Sequence, residues 1–150
     1  VSQSTFFRYF PTKEDVVLYD DLDPIMIAAF RAQPPGLNPF QAMRRAMRAA
    51  FDSLPPDEVA AQMERGLLVL QVPDLRMRML DQIREAVDIM ALMLAERTGR
   101  DPREFELRVL GGAIIGAVMS AVLDAAQRGD FDFMGAIDAG LAYLEAGMPL

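Results

Sequence analysis

Cysteine and histidine are both absent from the 150 residues. Without cysteine there is no disulfide, thiolate metal site or sulfur nucleophile. Without histidine the commonest metal ligand and general base is missing. A hydrolase or metalloenzyme would have to work from carboxylates, Ser, Lys or Tyr alone. No Glu-x-x-His spacing and no glycine-rich phosphate loop occur. The carboxylate clusters have plain structural readings. Asp23 stands before Pro24 as a helix cap, Asp20 and Asp21 end a solvated helix, and Asp124 lies four residues before Arg128 as an ion pair. We therefore expect no enzyme, no metal and no cofactor. Long apolar runs are lacking too. The longest nearly uncharged run, VLGGAIIGAVMSAVL at 109–123, falls short of the roughly 20 residues of a membrane span. No basic segment leads into a cleavage site, so a cytoplasmic protein without membrane association is expected.

What the chain does have is helix punctuation. Asp23-Pro24, Asn38-Pro39 and Asp101-Pro102 each set a good N-cap before proline at the first helical position. Thr12 and Asp15 have the spacing of a capping box. These signals predict helices over 3–10, 13–21, 24–32, 39–53, 56–71, 73–98, 102–127 and 131–146, with AQPPGLN, LPP and TGRD as breaks. No stretch alternates like a strand. An all-α bundle with short connections follows, and the 52% apolar content is enough for a core. Leu80, Ile83, Val87, Met90 and Leu94 recur at helical spacing as a core-facing stripe, and IMALMLA after Asp88 predicts a helix end enclosed on every side.

Methionine is frequent, with eleven residues. Met26, Phe30, Met43, Met47, Phe51, Met63, Met90 and Met93 fall on the middle helices at spacings that put several on shared faces. They read either as the wall of an adaptable apolar cavity or as ordinary core filling. Gly66 sits mid-helix in MERGLLVL, where glycine costs about 1 kcal/mol against alanine and opens room for a ligand or a neighbouring helix. Toward the end of the chain Gly112, Gly116 and Ser120 form a small-residue ridge, and Gly135 and Ala139 form another beside Ala136 and Gly140. Such ridges allow close helix crossing, within the chain or between subunits. Two-fold association is the commonest oligomer, which favours a homodimer.

The net charge is −7, yet residues 1 to 13 hold Arg8 and Lys13 and no carboxylate. An acidic body repels phosphate, so any contact with nucleic acid belongs at this end. The segment reads VSQSTFFRYFPTKEDVV. Ser2 is a fitting cap, Val1 and Phe6 can staple it, and Phe6 and Phe10 make one side of a short helix. Gln3, Ser4, Phe7 and Arg8 are left facing outward, where amides and hydroxyls suit a major groove. Thr12 and Lys13 open the next helix, where a phosphate meets a helix N-terminus and an ammonium.

This stretch resembles the end of the helix-turn-helix of TetR-family (tetracycline-repressor-like) regulators, with the form V-S-x-x-T-[LF]-[YF]-x-[HY]-F-x-[ST]-K-E. Val1, Ser2, Thr5, Phe6, Phe10, Thr12, Lys13 and Glu14 fit it. The resemblance implies that Gln3, Ser4 and Thr5 read bases or backbone from a recognition helix, and that Tyr9 and Lys13 hold phosphates. Phe7 stands where many members have tyrosine, so that hydroxyl contact is lost. The wording TFFRYFPTKED resembles a branch associated with acyl-CoA-like or other hydrophobic ligands. The family pattern implies residues 1–22 as a remnant of the DNA-binding domain and 23–150 as an effector-binding and dimerisation domain. Two helices precede the recognition helix in the family, so the resemblance also implies a chain lacking them. An isolated helix this short is marginal in water, and operator DNA is expected to be a partner of the full-length protein only. The expected function is a TetR-like regulator, of the repressor kind, that binds palindromic DNA as a homodimer and is released by a hydrophobic small molecule. The alternative is a helical small-molecule-binding or dimeric interaction module with no DNA role.

Overall fold

Asn38 shows how the chain punctuates itself. Its backbone is extended (φ −67°, ψ 163°), its Oδ1 accepts the Gln41 N–H at 2.9 Å, and Pro39 follows at the first helical position. The structure, a computed structural model, describes residues 12–18, 22–130 and 132–149, with the side chains of Val16, Met63, Leu70, Met79 and Leu80 excepted. Among the described residues there are seven helices and no strand: α1 (Lys13–Leu18), α2 (Leu22–Arg31), α3 (Pro39–Asp52), α4 (Pro56–Gln71), α5 (Pro73–Thr98), α6 (Phe105–Arg128) and α7 (Phe133–Glu145).

The caps at α1 and α3 match the sequence. Thr12 and Asp15 exchange backbone-to-side-chain hydrogen bonds at 2.8 and 3.3 Å, a reciprocal capping box. Asp132 accepts the Gly135 N–H at 2.8 Å. Three expected starts differ, the last being α7, which begins at Phe133 and not at 131, with Asp132 as its cap. Helix α2 begins at Leu22, which places Asp23 inside its first turn instead of at the cap. Helix α6 begins at Phe105, after Pro102. There the Asp101 carboxylate accepts the Arg103 N–H at 2.8 Å and the Glu104 carboxylate accepts the Asp101 N–H at 2.9 Å. Local side-chain bonds of this kind hold the backbone in a turn and delay the helix. Gly99 and Gly129, both at φ 69°, end α5 and α6 in the left-handed region where glycine carries no Cβ penalty.

The core lies between α2, α3, α6, α7 and the second half of α5. Phe30, Met43, Leu94, Ile114 and Leu141 are its largest fully buried side chains. Each contributes about 1.5–3 kcal/mol on burial. Ala42 and Ala46, one turn apart on α3, are fully buried and let neighbouring helices approach. Met90 and Leu94 of the predicted stripe are in the core, while Ile83 and Val87 are half-buried and the Leu80 side chain lies outside the described residues. The IMALMLA segment is enclosed except at Leu92, which is 52% exposed.

Polar clamps join the elements at the rim. The Arg44 guanidinium donates to both Asp138 carboxylate oxygens at 2.8 and 2.9 Å and to Glu145 at 3.3 Å, tying α3 to α7. Asn38 and Gln41 also donate to Glu145. Arg97 of α5 lies over the Phe30 ring and donates to the carbonyls of Gln33, Pro34 and Leu37, organising the loop between α2 and α3. Asp124 and Arg128 form the expected ion pair at 2.7 Å. The 24-residue α6 is, by length and composition alone, long and apolar enough to cross a membrane, contrary to the estimate from its uncharged run. In the fold its Leu107, Gly111, Ile114 and Ala125 face the protein core.

Candidate ligand cavity

Helix α4 packs chiefly on α5 and touches α1, standing apart from the core of α2, α3, α6 and α7. Between this outer layer and α6 lies a cavity of about 610 Å³, within the range of small-molecule sites. Val118, Met119, Val122 and Leu123 of α6 form one wall, facing Val69, Arg65, Gln62 and Gly66 of α4. Gln82, Glu85 and Ala86 of α5 line it from the side, with Leu22 and Asp23 of α2 and Phe51 of α3. Val17 and Leu18 of α1 complete the lining.

Gly66 has a direct role in this space. A Cβ built there meets nothing within 4 Å, so the missing side chain leaves part of the cavity open. Asp23, Gln62, Arg65, Gln82 and Glu85 supply the polar part of the lining. Arg65 donates to Gln62 at 3.4 Å, and the Gln82 amide donates to the Leu18 carbonyl at 2.9 Å. Beside that bond, Arg78 of α5 meets Asp15 of α1 at 2.6 Å. The Thr12 hydroxyl and, to a lesser degree, Arg78 hold the Asp15 carboxyl below its usual range against the opposing effect of desolvation. Helix α1 is thus held across one edge of the cavity by two bonds to α5. Among the described residues no three potential metal ligands converge.

A family model described as the MftR C-terminal domain, one of the TetR-type C-terminal domains, matches residues 37–149, which takes in α3 to α7. This chain belongs to the TetR family. A curated relative, the HTH-type transcriptional regulator TcmR of Streptomyces glaucescens, is 34% identical over 108 residues, 67% of this chain and 48% of the relative. The chain thus spans about half the length of the curated relative it matches. TetR-family proteins are regulators and not enzymes, in accord with the carboxylate readings above.

The TetR-family fold distributes the residues singled out in the sequence among several places. Of the eight apolar candidates for a ligand wall, Phe51 lines the cavity. Phe30, Met43, Met90 and Met93 are buried core residues, and Met26 and Met47 pack partly buried against that core. The Met63 side chain lies outside the described residues. Helical periodicity marks an apolar face without saying whether a neighbour or a void lies opposite. The signal that does point to the cavity is Gly66 beside Gln62 and Arg65, polar residues and a glycine on the face of α4 that lines it.

The small residues divide as well. Gly111 and Gly140 make the close crossings inside the chain. A Cβ at Gly111 would lie 3.3 Å from Met90 Cγ, and one at Gly140 would lie 3.2 Å from Ala121 Cβ and 3.3 Å from the Ala117 carbonyl. Gly112 and Gly116 have nothing within 4 Å of a built Cβ, and Gly116, Ser120 and Ala139 are exposed. Gly135 serves the Asp132 cap, whose carboxylate would overlap any Cβ there.

Of the candidate DNA contacts, Gln3, Ser4, Thr5, Phe7, Arg8 and Tyr9 lie outside the described residues. Lys13 is 91% exposed, 3.7 Å from the Glu14 carboxylate. Both Thr12 donors, N–H and hydroxyl, are taken up by Asp15, so a phosphate at Thr12 would have to displace the cap.

Proposed function

We propose that this chain is the effector-binding and dimerisation part of a ligand-responsive transcriptional repressor. The observation that carries this reading is the cavity, because α1 both lines it and leads back to the segment that resembles a recognition helix. A hydrophobic small molecule in the cavity contacts α1 directly, so occupancy and the position of the preceding segment are coupled. Gln3, Ser4, Thr5, Phe7, Arg8, Tyr9 and Lys13 are the proposed DNA contacts, working in the full-length cytoplasmic protein on a palindromic operator. A homodimer is proposed through the open faces of α6 and α7, where Gly112, Gly116, Ser120 and Ala139 leave room for a second copy, with Phe105 at 77% and Val109 at 51% exposure on the same side of α6. Spacings of four, three, four and four residues put Phe105, Val109, Gly112, Gly116 and Ser120 in one row. Such a dimer would set two recognition helices about 34 Å apart, one DNA turn.

The test uses a variant that closes the cavity without burdening the fold. Gly66→Leu places a side chain in open space and gains helix propensity of up to about 1 kcal/mol. Titration with Nile red, an apolar fluorophore, should show saturable binding to the wild type and at least about tenfold weaker binding to Gly66→Leu, with an unchanged or higher Tm. Equal binding by both proteins would remove the cavity from consideration.

A further inference from the structure

Gln82 does two things at once. It lines the cavity, and its Nε2 donates to the Leu18 carbonyl at 2.9 Å, holding the last turn of α1. The Leu18 carbonyl thus has a side-chain donor on α5, one point at which the described part of α1 is tied down. Among the described residues the polar ties of α1 to α5 are this bond and the Asp15–Arg78 pair. The former has both partners on the cavity wall, whereas Asp15 and Arg78 line the adjoining open recess, which Leu18 and Gln82 also border. A glutamine amide carries two N–H donors and an acceptor oxygen. With one N–H on Leu18, the second N–H and Oε1 make no other hydrogen bond among the described residues.

We propose that Gln82 reads the ligand and couples it to α1, and that the ligands it answers to carry a carbonyl-type oxygen on an otherwise apolar body. This rests on the reading of the cavity as a ligand site. A carbonyl oxygen accepts the second N–H while the first remains on Leu18. The first bond fixes the amide plane so that the second N–H is already aimed at the ligand, and a ligand held there in turn fixes the amide for Leu18. Ligand binding and α1 docking then stabilise each other, and by linkage the effect is mutual. A hydrocarbon of similar size fills the same space without this coupling. Gln82 is therefore a specificity-determining residue that separates ligands that act from ligands that merely bind.

The absence of native cysteine makes the test direct. Cysteines at the exposed Lys13 and Arg84 carry nitroxide labels on α1 and α5, with labelled chain diluted into unlabelled chain so that distances within one chain are read. The expected result is that Nile red, which has a carbonyl, narrows the α1–α5 distance distribution of the wild type, whereas pyrene binds and leaves its width unchanged. Gln82→Met should broaden the distribution before any probe is added. It should lower Nile red affinity about fivefold, the worth of one hydrogen bond, and change pyrene affinity less than about twofold. Arg78→Met should also broaden it but keep the narrowing by Nile red. Equal narrowing by both probes, or unchanged Nile red affinity in Gln82→Met, overturns the coupling and leaves the cavity reading standing. Failure of both probes to bind the wild type overturns the cavity reading and this proposal with it.

Discussion

Arg44 carries much of the polar architecture between α3 and α7, because one guanidinium grips two carboxylates of α7. Its hydrogen bonds to Asp138 lower that carboxyl below its usual range, against desolvation, and in turn raise the arginine itself. Glu145 is lowered first by the Asn38 and Gln41 amides and then by Arg44. A carboxyl depressed in the folded state adds stability that is present above its unfolded pKa, near 4, and is lost as pH falls through the folded value. Arg44→Met is therefore expected to lose about 1–2 kcal/mol at neutral pH. The gap to the wild type should close as pH drops below about 4. Urea unfolding across that range checks both the size and the sign. Arg97 acts on backbone instead, since its three carbonyl partners belong to the 33–37 loop. Arg97→Leu keeps the apolar contact with Phe30 and drops those bonds. Hydrogen exchange should quicken in 33–38 first, with the α6–α7 core unchanged.

Helix α6 has two unlike glycine faces, and the difference is testable element by element. Gly140 of α7 lies against its backbone, so Gly140→Val overpacks the crossing and should cost about 1–3 kcal/mol. Gly116 faces open space, so Gly116→Arg should leave the fold intact while sedimentation shows a monomer in place of the dimer proposed for the wild type. A variant that stays dimeric would move the interface off this face. Both ridges were visible as small-residue spacings, but their directions were not. Which side of a helix meets its own chain depends on α5 and α7, remote in sequence. The caps at Thr12 and Asn38 were legible because the cap oxygen and the N–H it accepts from lie three residues apart. The start of α6 was misplaced because Asp101 and Glu104 compete for the backbone where Pro102 pointed to a helix. The apolar stripes on α3 and α5 were read as apolar, yet core and cavity wall demand the same residues. A wall assembled from six helices is fixed only when they pack.

At the scale of the whole molecule, the buried core of α2, α3, α6, α7 and the end of α5 meets the cavity lined by α4, the middle of α5 and α1 along Val118 and Val122, which border both. A bound ligand can act on α1 without unpacking the core. Moving a balance of two forms from 1:99 to 99:1 takes about 5.5 kcal/mol of differential affinity. One hydrogen bond at Gln82 supplies only part of that, and burial of the ligand's apolar body against a repositioned α1 must provide the rest. The central claim is that ligand enters this cavity and not the methionine-rich core. Hydrogen exchange with and without Nile red separates the two sites. The account predicts slowed exchange in 17–18, 62–69, 82–86 and 118–123, with 42–47 and 90–94 unchanged. Protection centred on Met43, Met90 and Met93, with none along α4, would contradict it.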